Sequence, residues 1–347
     1  MSFVPAIDSP TATVRFFASD HVERHELSEL RALLVRDAGF VWVDLPMAND
    51  AAREVLEGTF AFHPLAVRDC FESNPVPKVH AYADHLFLVL HAPESSRDGH
   101  VNLHELDQFV GRRYLVTVHE PPDGAAAAEA GLRGTSLVLG RVDAERFRPA
   151  TPAELSYAIV AALVRGMEQH AWGVARRVAE LEHHVLTDDR SEPNALLESM
   201  FRLRHELLTV RTIAVQSREV YARLSGLAAR QPTEGRQSYA GLLDPSDSED
   251  LLRQLERVSG TIDGERQFLD GVVEFFQTRT TTKINLAMER LALLTAVLLP
   301  ITAIASIYGM NIIVSPQTQP AQLALVIVLM ALVTAGMLAW TKRLGWW

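Results

Sequence analysis

The sequence predicts an N-terminal α/β domain, then a set of long helices, then two membrane-spanning helices at the C-terminus. Three observations predict it. Short strand and helix signals alternate over residues 1–150. From Pro152 onward the apolar residues recur at helical spacing. From Leu291 to Thr341 the chain carries no Asp, Glu, Lys or Arg. The expected division is an α/β domain over 1–150, a long-helix stalk over 151–285, and a transmembrane hairpin over 286–347. Its two spans are expected at about 288–309 and 321–341.

In chain order, Thr13 to Ala18 and Phe40 to Leu45 are β-branched or aromatic runs of strand length. His85 to Leu90 is almost continuously apolar, which suits a strand buried on both faces. Leu106 to Val110 and Tyr114 to His119 read as a hairpin turned at Gly111-Arg112-Arg113. Helical patterns fall at about His25 to Arg36 and Asp50 to Phe60, so a mixed sheet with helices is expected. After Pro121-Pro122-Asp123-Gly124 comes an Ala-rich segment.

Thr151-Pro152-Ala153-Glu154 is a helix start with Thr as N-cap, and the pattern that follows runs to about Val185. A second long helix is expected from about Asn194 to Leu227, antiparallel to the first because the break is short. Gly235 to Pro245 reads as a linker. A third helix starts near Asp247 and meets no proline until Pro300. Unbroken to Tyr308, it would be about 90 Å long at 1.5 Å per residue.

The apolar runs Leu291 to Tyr308 and Ala321 to Trp340 are each about long enough to cross a bilayer. The polar connection Gly309 to Pro320 is short, so the two runs form a hairpin with both chain ends on one side. Lys342 and Arg343 follow the second run, Arg279 and Lys283 precede the first, and the connection has no basic residue. The positive-inside rule then puts both termini in the cytoplasm of a cell (inner) membrane protein. Trp340, Trp346 and Trp347 fit an interfacial belt. No basic segment followed by an apolar core opens the sequence, so no signal peptide is expected.

Composition excludes several classes of function. With 43 acidic and 33 basic side chains the net charge is −10, which disfavours nucleic acid as a partner. A single cysteine, Cys70, rules out an internal disulfide or a cysteine zinc cluster within one chain. There is no phosphate-binding Gly-rich loop ending in Gly-Lys-Ser/Thr and no His-Glu-x-x-His, so neither an ATP motor nor that zinc enzyme is indicated. His183-His184 are adjacent on a helix and read as surface residues. No histidine follows His205 and no cysteine follows Cys70, which disfavours direct soft-metal ligation in the membrane part.

Tyr308-Gly309-Met310-Asn311 closes the first apolar run. In that place, ahead of a second C-terminal run, it resembles the CorA family of divalent-cation channels, the two-helix Gly-Met-Asn superfamily. Phe62-His63-Pro64-Leu65, Asp69-Cys70, Pro77-Lys78-Val79 and His85 to Leu90 are similar to a family segment, so the resemblance covers about residue 40 to the end. It implies a funnel-shaped homopentamer with a pore lined by the first membrane helix, no enzymatic activity, no cofactor, and magnesium as transported and regulatory ion. The implied function is passive uptake of Mg2+, with Co2+ or Ni2+ as further ions. A ZntB-like zinc transporter is the alternative, and a non-conducting membrane-tethered sensor or scaffold a further one.

One stripe of the first membrane helix gathers Asn285, Met288, Leu291 or Ala292, Thr295, Leu299, Thr302, Ser306 and Gly309. Small hydroxyls on one face suit a pore lining or a helix-packing seam, and spacing alone leaves both open. The resemblance implies constrictions at Asn285, Met288, Leu291 and Leu299, a polar ring at Thr302, and a selectivity entrance at Gly309, Met310 and Asn311. Asn311 suits a helix C-cap as well as a ring that captures the water shell of magnesium. The resemblance also implies a regulatory magnesium pair at Asp69 and Asp250. Asp250 equally suits an acid in a helix first turn. Arg68 stands where the family has an acid, and Ile312 to Pro320 has no acidic residue.

Overall fold

The computed structural model describes residues 12–46, 48–72, 74–95, 101–119, 125–187, 193–228, 242, 244–309 and 320–343. Among the described residues, seven strands form one sheet: β1 (Thr13–Phe17), β2 (Val22–His25), β3 (Phe40–Leu45), β4 (Lys78–Ala81), β5 (His85–Ser95), β6 (Val101–Gly111) and β7 (Tyr114–His119). Their order is β2-β1-β3-β7-β6-β5-β4. Only β3 and β7 run parallel; the other neighbours are antiparallel. The expected mixed sheet is therefore present. So is the hairpin at Gly111, where Phe109 faces Val116 and Val110 faces Leu115. A Cβ on Gly111 would lie 2.3 Å from the Tyr114 ring, so the turn requires glycine. Gly39 has φ +89°, and a Cβ there would meet the Phe17 carbonyl oxygen at 2.3 Å.

Strand alternation divides the sheet residues between two faces. Val41, Val43, Phe87, Val89, Phe109, Val116 and Val118 join one buried cluster. The short helices α1 (Leu30–Leu34), α2 (Asp50–Glu54) and α3 (Pro64–Phe71) close it with Leu30, Leu33, Ala52, Ala66 and Val67. The helices α4 (Ala125–Asp143) and α5 (Pro152–Thr187) reach residues of the opposite alternation. Trp42 Nε1 donates to Thr117 Oγ1 at 3.0 Å, and Thr117 Oγ1 donates to Asp44 Oδ1 at 2.5 Å. His119 Nε2 lies 2.9 Å from Asp44 Oδ1, and Thr135 of α4 adds its hydroxyl at 3.3 Å. Ser156 of α5 donates to Gln108 Oε1 at 2.6 Å. These bonds satisfy polar groups that burial would otherwise penalise. Leu86 through Leu90 are all buried, as expected for a strand covered on both faces.

The expected helix over His25 to Arg36 is shorter in the structure. Residues 22–25 pair with β1 instead, leaving a 3₁₀ turn at Leu27–Glu29 before α1. The pattern over Asp50 to Phe60 begins as α2 and ends in a π turn, Val55–Thr59, where Phe60 N–H reaches Val55 O. α5 starts as read: Thr151 Oγ1 accepts from Glu154 N–H at 3.2 Å, and Glu154 Oε2 accepts from Ala150 N–H at 2.7 Å. His183 and His184 are both exposed. α6 (Pro193–Ala228) packs on α5.

α7 (Pro245–Gly309) is 65 residues long, with Pro300 inside it. Arg211 pairs with Asp263 at 2.6 Å and Arg204 with Asp270 at 3.9 Å. Seven residues down one helix thus match seven up the other, so α6 and this part of α7 are antiparallel. α8 (Pro320–Arg343) follows. The chain divides into two compact units, Met1–Asp270 and Gly271–Trp347. The linker expected at 235–245 lies largely outside the described residues.

Candidate functional site

Among the described residues, two helices are long and apolar enough to cross a membrane, α7 in its C-terminal part and α8. None of the most apolar 18 residues of α7 is buried, and 6% of those of α8 are. A soluble core helix hides its apolar face, whereas Leu294, Leu298, Ile307, Leu325 and Leu332 are all exposed.

Within α7 the exposure is not uniform. Glu289, Leu293, Val297, Pro300, Ile301 and Ile304 are half-buried and recur at helical spacing. Asn285, Met288, Leu291, Thr295, Leu299 and Thr302 are exposed. At 3.6 residues per turn, the centres of these two sets lie on nearly opposite faces. In α8 the covered positions are Val326, Met330, Val333, Thr334, Met337 and Thr341, again one stripe. The sequence-derived stripe is therefore the open side of α7. Met288, Leu291 and Leu299 are each 64% exposed.

The hydroxyls on that stripe have a defined orientation. Thr295 Oγ1 donates to Leu291 O at 2.9 Å, and Thr302 Oγ1 donates to Leu298 O at 2.8 Å. With the hydrogen committed to the backbone, each hydroxyl oxygen keeps its lone pairs as acceptors. A row of acceptors on a helix face suits the water shell of a cation. Gly309 is the last residue of α7. Met310 and Asn311 lie outside the described residues.

The two acids expected as a regulatory pair, Asp69 and Asp250, have partners within the chain. Asp69, on α3, receives Lys78 Nζ at 2.7 Å, and Arg68 Nη2 stands 3.7 Å away. Lys78 also donates to Asn74 Oδ1 at 2.5 Å, and Asn74 Nδ2 donates to the Asp69 carbonyl at 2.7 Å. α3 holds Asp69 in place through Pro64 in its first turn and His63 Nδ1, which accepts from Leu65 N–H at 3.2 Å. Asp250 accepts from Tyr157 Oη at 2.7 Å and from Gln254 Nε2 at 2.5 Å. The Tyr157 hydrogen bond holds the Asp250 carboxyl below its ordinary range. Burial, and then the bond to Asp250, pushes Tyr157 up to about 12. Among the described residues, no group of three or more His, Cys, Asp or Glu is arranged to hold a metal. Any cation at Asp69 would therefore compete with Lys78.

Sequence reasoning missed Tyr157 as a partner of Asp250, because 93 positions separate them. It also missed Asn74, which ties α3 to the sheet by donating to Glu105 Oε1 at 2.8 Å.

The chain matches the family model described as CorA-like Mg2+ transporter protein over residues 37–343. It is 27% identical to YfjQ of Bacillus subtilis (strain 168), covering 89% of this chain and 91% of that protein. It is 22% identical to the cobalt/magnesium transport protein CorA of Thermotoga maritima, over 83% of this chain and 77% of that one. The complete structure of the CorA magnesium transporter from Methanocaldococcus jannaschii superposes with a TM-score of 0.77 at 19% identity, covering 98% and 99% of the two chains. That likeness extends the fold to the full chain, including the sheet domain, the long helix and the C-terminal pair. The chain thus belongs to the CorA-like family of divalent metal-ion transporters of membranes.

Proposed function

We propose that the chain is one subunit of a homopentameric channel for passive divalent-cation uptake, with magnesium as principal ion and cobalt or nickel as further ones. It sits in the cell (inner) membrane with both termini in the cytoplasm. The observation that carries this reading is the open stripe of α7. A single helix cannot enclose water, so several copies around an axis must turn that stripe inward. Leu299, Leu291 and Met288 then form apolar constrictions that gate by dewetting, and Thr295 and Thr302 form acceptor rings between and beyond them. Gly309, Met310 and Asn311 form the selectivity entrance. Magnesium gives up its water reluctantly, so capture through the water shell is the economical route.

The membrane potential supplies the drive. A doubly charged ion gains about 4.6 kcal/mol per 100 mV, inside negative. No nucleotide-hydrolysing motif is needed, and the family assignment is to transport. Asp69 and Asp250 are proposed as a regulatory magnesium pair between neighbouring subunits, with Lys78 as the competing internal cation. Uptake of Mg2+, Co2+, Ni2+ and Zn2+ into vesicles at controlled pH and voltage tests the proposal. Magnesium uptake that follows voltage supports it. Zinc uptake that follows a proton gradient, without magnesium flux, would replace it with a zinc transporter.

A further inference from the structure

A cavity of about 610 Å³ lies among the far ends of β5 and β6, α4 and α5. That volume falls within the range of about 300–1,000 Å³ typical of small-molecule sites. Four arginines line it: Arg133 from α4, and Arg165, Arg176 and Arg177 from α5. Two histidines, His104 and His170, line it as well.

Two acids beside the cavity are already engaged. Glu206 accepts from Arg177 Nη2 at 2.5 Å, with His170 Nε2 3.0 Å from the same oxygen. Glu94 meets His104 Nε2 at 2.9 Å. No described acid pairs with Arg133, Arg165 or Arg176. In a chain of net charge −10, this cavity is a local concentration of cationic groups.

The helix backbone keeps the cavity open. Gly166 and Gly173 lie seven residues apart on the lining face of α5, and a Cβ at either would meet nothing within 4 Å. Glycine weakens a helix interior relative to alanine, so these positions leave volume at a cost in helix stability. Gly134 of α4 does the opposite job: a Cβ there would lie 2.8 Å from Leu163 Cδ2, so glycine allows α4 to close on α5 and form the wall. Apolar groups, among them Pro93, Leu137 and Leu163, complete the lining.

From this geometry we propose a binding site for a small polyphosphorylated molecule of nucleotide size. Planar guanidinium groups bind phosphate oxygens in pairs, and three of them without carboxylate partners match a multiply charged anion. The apolar wall receives the uncharged part of the ligand. The site is independent of the transport reading.

The test is calorimetric titration of the full chain in lipid nanodiscs with ADP, pyrophosphate, inorganic phosphate and adenosine, in magnesium-free buffer. ADP and pyrophosphate should bind once per chain, and more weakly as salt rises. Tighter binding of ADP than of pyrophosphate assigns the apolar wall to the nucleoside; equal binding assigns the site to the phosphates alone. Arg165→Gln and Arg176→Gln should each weaken binding roughly tenfold or more. Gly173→Leu should abolish it while leaving the thermal midpoint unchanged or higher, because it fills the cavity and favours the helix. No binding of either polyanion at millimolar concentration overturns the proposal. So does adenosine binding as well as ADP, or affinity unchanged in a folded Gly173→Leu variant.

Discussion

Thr302→Val separates a pore-lining hydroxyl from a structural one. The substitution keeps the branched shape and removes one oxygen. Thr302 is exposed and its hydroxyl bonds the carbonyl one turn back, so the helix loses only a secondary bond to an oxygen that already belongs to the ladder. Threonine and valine have nearly equal helix propensity, so stability should change by less than about 0.5 kcal/mol. In the proposed channel the acceptor disappears from every subunit at once. At about 1 kcal/mol per hydrogen bond to the water shell, losing two contacts in the same step raises the barrier by about 2 kcal/mol. That corresponds to roughly a thirtyfold slower passage. The control is Thr334→Val on α8, where the hydroxyl makes the same type of bond, to Met330 O at 2.7 Å, on the covered stripe. Magnesium influx into vesicles, normalised to folded oligomer, should fall for Thr302→Val and not for Thr334→Val. Equal flux in both variants, or an equal loss in both, would refute the assignment of the open stripe to the pathway.

Asn311→Gly should assemble normally, since glycine and asparagine exchange at a helix end for a few tenths of a kcal/mol, yet lose divalent flux and block by hexammine complexes; wild-type magnesium affinity in an assembled variant would reduce Asn311 to a cap. Asp69→Asn with Asp250→Asn should weaken inhibition by internal magnesium, and Lys78→Gln should strengthen it by removing the competing ammonium 2.7 Å from Asp69; superimposable inhibition curves would remove these residues from regulation. Asp107 is buried in β6 beside Cys70 and Glu105, and burial raises its carboxyl well above the ordinary range. The unfolded chain releases that proton near the ordinary carboxylate value while the folded chain holds it, so wild-type stability falls as pH rises from there toward the raised folded value. The thermal midpoint of Asp107→Asn relative to wild type should therefore climb between pH 4.5 and pH 7.5, and a constant difference across that range would contradict a proton held by burial.

Much of this fold was legible because it rests on local pattern. β3 matches the expected run Phe40 to Leu45, and the hairpin at Gly111 follows from two strand signals around a glycine. Thr151 was readable as a cap because its hydroxyl acts within three residues. Elements stabilised by a partner strand were not readable. β4 is four residues, Lys78–Ala81, and exists through its pairing with β5. The far end of β5, Ala92-Pro93-Glu94-Ser95, has poor strand propensity and is set by its register with β6, where Pro93 faces Leu103. The open stripe of α7 was visible as spacing, since helical period alone defines a face. Which face stays uncovered was not visible, nor were Lys78 against Asp69, Tyr157 against Asp250, or the arginine cavity. Those depend on side chains brought together from separate elements.

In the proposed channel, divalent cations pass along the Leu299 face of α7. In a Cys70→Ser background, Leu299→Cys and Val297→Cys place a thiol on the open and the covered face respectively. The decisive measurement is magnesium current across a planar bilayer during exposure to a small water-soluble thiol reagent. The expected current grows with inside-negative voltage, is blocked in Leu299→Cys, and persists in Val297→Cys. No voltage-driven divalent current in the unsubstituted chain, or block at equal rates at both positions, would overturn this pathway.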